Sequence, residues 1–227
     1  EAYTDQVAIY DASIHMELGY YDIAFTALRC GLKYNYANFE LYILLGEYYL
    51  RNNPNQAYLC FENALFFCQD EEDKRQIKAM MQELRDNYEV TVRNVSFIIL
   101  SYNLLEYLKM CIDSIRTNVA KEVREVVVVD NASTDGSVEW LEQQTDIVLR
   151  RNLTNSGFPK GCNEGIECAN CENDLFLLNN DTEVPPNALF WLRMGLYEDE
   201  KVGMTGSITN YAGNMQSIRM ESSEPEE

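Results

Sequence analysis

Histidine is almost missing from this chain: His15 is the only one among 227 residues. Ser-His-Asp and Cys-His catalysis, and zinc held by histidine, are therefore absent from the second half of the sequence. Basic charge is also scarce. Eighteen Lys and Arg face 37 Asp and Glu, for a net charge of −19. Like charge repels nucleic acid and anionic lipid, so nonspecific binding to either is disfavoured and no nucleic-acid partner is expected. A phosphate ligand is still open to so acidic a protein where a metal ion masks the local charge. No apolar run approaches the ~20 residues needed to span a bilayer, and no signal peptide is visible. Disulfide pairing is not indicated either. The seven cysteines are odd in number and irregularly spaced, which fits free thiols in a reducing compartment. The expected location is cytoplasmic, with a peripheral position at the inner face of the membrane as a variant. Cys168-x-x-Cys171 has no second pair and no histidine beside it, so it reads as incidental thiols. Neither Gly-x-x-x-x-Gly-Lys-Ser/Thr nor a Gly-x-Gly-x-x-Gly after the first strand occurs, which removes the main support for an ATPase or a dinucleotide enzyme.

What is present divides into two halves. Residues 1–90 carry Tyr, Leu and Ala at helical spacing with no strand alternation. Within them Ala24, Leu28 and Gly31 recur as Ala57, Phe61 and Ala64. In the second copy Tyr42, Leu45, Gly46, Tyr49, Ala57, Phe61 and Ala64 follow a pattern of small and large residues that resembles a tetratricopeptide repeat. The first copy has Ala12 at the usual glycine position. Glu71–Asn87 reads as a charged closing helix with Ile77, Met80, Met81 and Leu84 on one face. Two repeats are few for independent stability. Either more repeats precede residue 1 or these pack on the next domain, and a protein partner on the repeats is expected as readily as a spacer role.

From residue 91 the pattern becomes strand, turn, helix, which implies a mostly parallel, Rossmann-like sheet with crossover helices. Val95–Ser101, Glu125–Val129, Ile147–Arg151 and Asp174–Leu178 read as strands, with Val202–Thr209 as a fifth. Leu104–Thr117, Ser137–Gln144 (capped by Ser137), Pro159–Ala169 and Pro186–Tyr197 read as helices. Ligands of such sheets bind outside the carboxyl ends of the strands, and polar clusters stand at four of those ends. Tyr102 and Asn103 follow the first strand. Asp130, Asn131, Ser133 and Asp135 follow the second, in a run too long and polar for a simple turn. Asn155-Ser156-Gly157-Phe158 follows the third; Gly157 permits close backbone approach, and Lys160 adds charge at a helix start. Asn179, Asn180 and Asp181 follow the fourth, where a carboxylate is a hard oxygen ligand suited to Mg²⁺ or Mn²⁺.

Val95–Asn103, Val129–Ser137, Asn155–Asn163 and Leu177–Pro186 resemble the successive motifs of family-2 glycosyltransferases of the GT-A fold, closest to the group that glycosylates bacterial cell-surface polymers. The resemblance implies an inverting glycosyltransferase that uses a UDP-, dTDP- or GDP-linked sugar and modifies a glycan or glycoprotein acceptor. It implies that Tyr102 and Asn103 border the base, that Asp130 contacts uracil or its equivalent, and that Asp135 supports the same loop. Gly157, Phe158, Lys160 and the residues to Asn163 would line the nucleotide and sugar, and Asp181 would be the metal-binding last residue of the Asp-x-Asp motif. That motif begins with Asn179 in place of Asp. No residue matches the family's catalytic base; Glu198, Asp199 and Glu200 are available but do not fit its motif. The chain therefore reads as the donor-binding half (91–227) of an enzyme, part of a longer protein, preceded by the helical repeats (1–90). Two rivals are kept. One is an interaction module fused to a non-catalytic nucleotide-binding domain. The other is a nucleotidyltransferase, which would normally carry a basic glycine-rich loop where Tyr102–Glu106 stands.

Overall fold

A computed structural model describes residues 4–208 and residue 216. Five helices come first: α1 (Asp5–Glu17), α2 (Tyr21–Tyr34), α3 (Phe39–Leu50), α4 (Pro54–Phe67) and α5 (Glu71–Asn87). Their starts are written into the sequence. Thr4, Asn38, Asn53 and Asp70 each accept a hydrogen bond from a backbone N–H of the first turn that follows, and Pro54 opens α4. The first four helices form two antiparallel pairs, α1 with α2 and α3 with α4. Small residues let them approach. A Cβ on Gly46 would fall 2.4 Å from the Phe61 ring, and one on Gly31 would fall 2.9 Å from a Leu41 methyl.

The second half alternates strictly: β1 (Val95–Ser101), α6 (Leu105–Asn118), β2 (Arg124–Asp130), α7 (Ser137–Leu141), β3 (Val148–Arg151), α8 (Phe158–Cys168), β4 (Asp174–Asn179) and α9 (Ala188–Leu196). All strand pairings are parallel, in the order β3-β2-β1-β4. The fold is the α/β arrangement of GT-A enzymes with an all-helical N-terminal part. Alternation assigns the two faces. Phe97, Ile99, Val126 and Val128 pack with Leu108, Ile112 and Ile115 of α6. On the opposite face Ile98, Leu100 and Val129 meet α8, where Gly161 and Gly165 admit the strands so closely that a Cβ would lie 2.3 Å and 2.5 Å from side-chain carbons of Leu100 and Ile98.

The helices do not stand apart from the sheet. Leu189 of α9 joins the sheet core, while Phe190 and Met194 of the same helix join the core of α1–α5. Gln56 Nε2 donates to Met194 O at 2.9 Å, and Asn53 Nδ2 donates to Tyr197 O at 2.8 Å. Arg193 is buried, pairs with Glu62 and donates to Arg93 O at 2.6 Å. Of the two arrangements open from sequence, packing on the next domain is therefore present.

Several expected boundaries shift. Residues 202–208 form no strand: Gly203 and Gly206 interrupt the alternation, Met204 and Ile208 are exposed, and Thr205 Oγ1 bonds to Leu192 O instead. Thr209 lies outside the described residues. Ser137 is the first residue of α7 and not its cap; Gly136 holds that place at φ 92°, and Asp135 accepts from Ser137 N–H and Oγ. α9 starts at Ala188, two residues after Pro186. Asn187 is held left-handed at φ 62° by its bonds to Asn63 and to the Tyr42 hydroxyl, so tertiary contact sets that start.

Removing one partner of a buried ion pair strands the other charge, at about 3–5 kcal/mol. Glu62→Ala should cost about that much in urea-induced unfolding, and Glu62→Leu combined with Arg193→Met should recover most of it. A loss under about 1 kcal/mol for Glu62→Ala would show that the pair does not join the halves.

Candidate nucleotide-sugar site

The order β3-β2-β1-β4 places a switch point between β1 and β4, because the chain moves outward through β2 and β3 and then crosses back to the far side of β1. The segments after β1 and β4 both run to the α6 face while α8 covers the other, and ligands of such sheets bind outside the carboxyl ends of the strands. The four polar clusters converge there. Asn103 N–H donates to Ser133 Oγ at 2.8 Å, Thr134 N–H donates to Asn103 Oδ1 at 2.9 Å, and Asn180 Nδ2 donates to Asn103 O at 3.2 Å. One asparagine thus ties the loops after β1, β2 and β4. The backbone around it is contorted: Asn103, Leu104 and Ala132 have φ of 57°, 64° and 68°. Left-handed non-glycine residues each cost about 1–3 kcal/mol and persist where surrounding bonds hold them.

Asn131 ties in the fourth loop. It is buried, its Nδ2 donates to Asn155 Oδ1, and its Oδ1 accepts from Asn152 Nδ2 and from the N–H and hydroxyl of Ser156. The side chain proposed from sequence as a ligand contact is thus engaged by protein. Ser156, from the third strand-end cluster, and Asn152, which the sequence did not single out, complete this hub together with Glu164. Asp135 is likewise engaged: Oδ2 accepts from Leu105 N–H at 2.9 Å, capping α6, whose own N-cap Leu104 has no acceptor side chain. Desolvation works against its charge, but the bonds from Ser137 and Leu105 outweigh it and hold the carboxyl below its usual value.

Asp130 differs. Its side chain is 1% exposed; Oδ1 accepts from Ser133 N–H at 3.0 Å, and Oδ2 is buried without a partner. Ser101, its register partner on β1, also carries a buried hydroxyl without a partner. Sequence reading passed over Ser101, although a polar residue in the inward phase of Phe97 and Ile99 was a legible signal. Other expected site residues are exposed: Tyr102 and Phe158 present half-exposed rings, Lys160 reaches Glu164 at 3.8 Å, and Asn163 is exposed one turn further along α8. Gly157 caps α8 at φ 81°, so Phe158, and not Pro159, begins the helix.

Asn179 ends β4, and Asp181 follows, exposed and capping nothing among the described residues. Its carboxylate and burial together push the Cys111 thiol up to about 12, burial being the larger cause. The loop after it is pinned, because Val184 N–H donates to Ser114 Oγ and Asn118 Nδ2 donates to Val184 O. No group of three metal-ligating side chains occurs among the described residues, and the Asp181 carboxylate is exposed. Glu198–Glu200 lie elsewhere. Tyr197 Oη donates to Asp174 at the amino end of β4, which puts the residues after it at the opposite end of the sheet from Asp181.

Asp135→Ala should cost about 0.5–2 kcal/mol, the range for a lost helix cap, and should raise amide exchange at Leu105 and Ser137. Because the folded carboxyl titrates below its unfolded value, the native contribution is complete above the ordinary carboxylate range and disappears as pH falls through the lowered value. Exchange at these two amides that is unchanged in the variant would remove Asp135 from this role.

Among solved structures the chain is similar to TarS 1–349 of S. aureus (25% identity, 46% of this chain, 32% of that one, TM-score 0.41). It is also similar to the mannosyltransferase PcManGT of Pyrobaculum calidifontis, solved with GDP-Man and Mn²⁺ (24%, 46% and 32%, TM-score 0.41). The chain spans about a third of the length of each. No curated protein matches it. The family model for glycosyl transferase family 2 matches residues 96–225, more than half of the sequence and all four strand-end clusters. The chain belongs to glycosyl transferase family 2.

Proposed function

We propose that this protein binds a nucleoside diphosphate sugar at the carboxyl ends of β1, β2 and β4 and supplies the donor half of a sugar transfer to a hydroxyl of a glycan or glycoprotein. The unpartnered Oδ2 of buried Asp130 carries the reading. A buried carboxylate oxygen without a donor costs about 1–3 kcal/mol or more, and a ligand N–H relieves it. Only one oxygen is free, because Ser133 holds the other. The imide edge of uracil or thymine offers a single N–H between two carbonyls, and the Ser101 hydroxyl, likewise buried without a partner, would donate to one of these carbonyls. Guanine presents two adjacent N–H groups, and cytosine presents none at its ring N3. Uridine or thymidine diphosphate sugars therefore fit better than GDP-linked ones. Tyr102 offers a ring for the base.

The diphosphate then extends toward Asp181. The exposed carboxylate, with donor oxygens completing the shell, suits Mg²⁺ or Mn²⁺. When bound, the metal would offset charge on the departing nucleoside diphosphate. Lys160 and the start of α8 stand on the third-strand side for the sugar and phosphates. Inversion at the anomeric carbon would need an acceptor hydroxyl in line and a carboxylate base. Glu198, Asp199 and Glu200 are at the wrong end of the sheet for that role.

Asp130→Asn should weaken UDP binding by about 1–3 kcal/mol, read by calorimetry in Mn²⁺. Asp181→Ala should abolish the Mn²⁺ dependence and leave thermal stability of the free protein unchanged. Retained Mn²⁺ dependence in the Asp181 variant would take the metal away from this loop.

A further inference from the structure

Asn187 stands only six residues after Asp181, and the stretch between them is tied down at two places. Val184 is buried against α6: its N–H donates to Ser114 Oγ at 2.9 Å, and its carbonyl accepts from Asn118 Nδ2 at 2.8 Å. Asn187 is tied to the helical half. Its Oδ1 accepts from Asn63 Nδ2 of α4 at 3.1 Å, and its Nδ2 donates to the Tyr42 hydroxyl of α3 at 2.8 Å and to Tyr36 O at 3.3 Å. The Tyr42 hydroxyl donates in turn to Tyr36 O at 2.6 Å. Between the two anchors stand Pro185 and Pro186, whose fixed φ stiffens the link.

Asn187 gives up its ordinary role for these bonds. It is the N-cap of α9, where an asparagine side chain normally accepts from an N–H of the first turn, yet it makes no such bond. Its backbone is also left-handed, at φ 62°. A side chain diverted from its own helix, on a strained backbone near an exposed carboxylate, points to a positional role. Its partners fit the same role. The Tyr42 ring is wholly buried and packs on Phe67 and on Phe190 of α9. In such apolar surroundings a hydrogen-bonded polar network specifies one geometry.

Resting on the reading of Asp181 as the metal ligand, we propose that Tyr42, Asn63 and Asn187 are positioning residues for the metal-bound diphosphate, so that the helical half sets where Asp181 stands. With the three linked, the diproline span keeps Val184 on α6, and only Thr182 and Glu183 separate that anchor from Asp181. Without the links Asn187 relaxes out of the left-handed region, the stiff span carries the change to Val184, and Asp181 moves away from the diphosphate. The base end of the site is unaffected, because Ser101 and Asp130 belong to β1 and β2.

The test is calorimetric titration with UDP, in Mn²⁺ and in EDTA, of the full 227-residue protein and two variants. Tyr42→Phe combined with Asn63→Leu cuts the links from the helical side with side chains of similar size. Asn187→Gly cuts them from the loop side, and glycine accepts the left-handed backbone without strain. In both variants the gain in UDP affinity that Mn²⁺ brings should fall about tenfold or more, as a displacement on the order of 1 Å can produce, while affinity in EDTA matches the parent. Amide exchange at Thr182 and Val184 should rise without nucleotide or metal. An unchanged Mn²⁺ gain in a folded variant, or an equal loss of affinity with and without Mn²⁺, would overturn the proposal. So would failure of both variants to fold, which would make the links purely structural. A parent whose UDP affinity ignores Mn²⁺, or keeps its Mn²⁺ gain after Asp181→Ala, would instead remove the reading of Asp181 on which the proposal rests.

Discussion

Asn103 is the joint from which the strand-end loops hang. Its N–H, side-chain oxygen and carbonyl are committed to Ser133, Thr134 and Asn180, so the loops after β1, β2 and β4 move as one. Asparagine tolerates the left-handed conformation this requires better than most residues, but Leu104 beside it does not share that tolerance. The bond from Leu105 N–H to Asp135 holds the pair in place. With Asn131 joining the fourth loop, the polar side chains gathered at the strand ends are largely spent on each other. The groups left over, Asp130 Oδ2, the Ser101 hydroxyl and the Asp181 carboxylate, are the ones with capacity for a ligand.

The second constraint is α9. It follows the Asp181 loop directly and lies between two hydrophobic cores, giving Leu189 to one and Phe190 and Met194 to the other. The buried Arg193–Glu62 pair and the amide contacts of Asn53 and Gln56 fix its orientation. The helical half is thus structural support, at its inner end, for the loop that carries Asp181.

Much of this was legible in the sequence. Alternating apolar runs located the four strands, and the polar residues after them located the site, because side-chain period and strand ends are local properties. The closing helix Glu71–Asn87 was legible for the same reason, and Asp70 caps it locally. The start of α9 was not, since Asn187 is fixed by Asn63 and Tyr42 from far away in the chain. The strand expected over 202–209 failed in its described part because two glycines weakened a pattern judged on its apolar residues alone. Asn131 and Asp130 look equivalent in sequence. Only their surroundings separate a hydrogen-bond hub from a carboxylate with one oxygen to spare. The helical contacts of α9 were likewise invisible, because contact between the halves leaves no periodic trace.

The central claim is that Asp130 reads a single imide N–H. Calorimetric titration of the protein with UDP and with UDP methylated at N3 of the uracil, both in Mn²⁺, tests it most directly, because the methyl group removes that one hydrogen and leaves the diphosphate untouched. The account predicts clear binding of UDP and a loss of at least tenfold, about 1.4 kcal/mol, for the methylated nucleotide. Equal affinity for the two would contradict it.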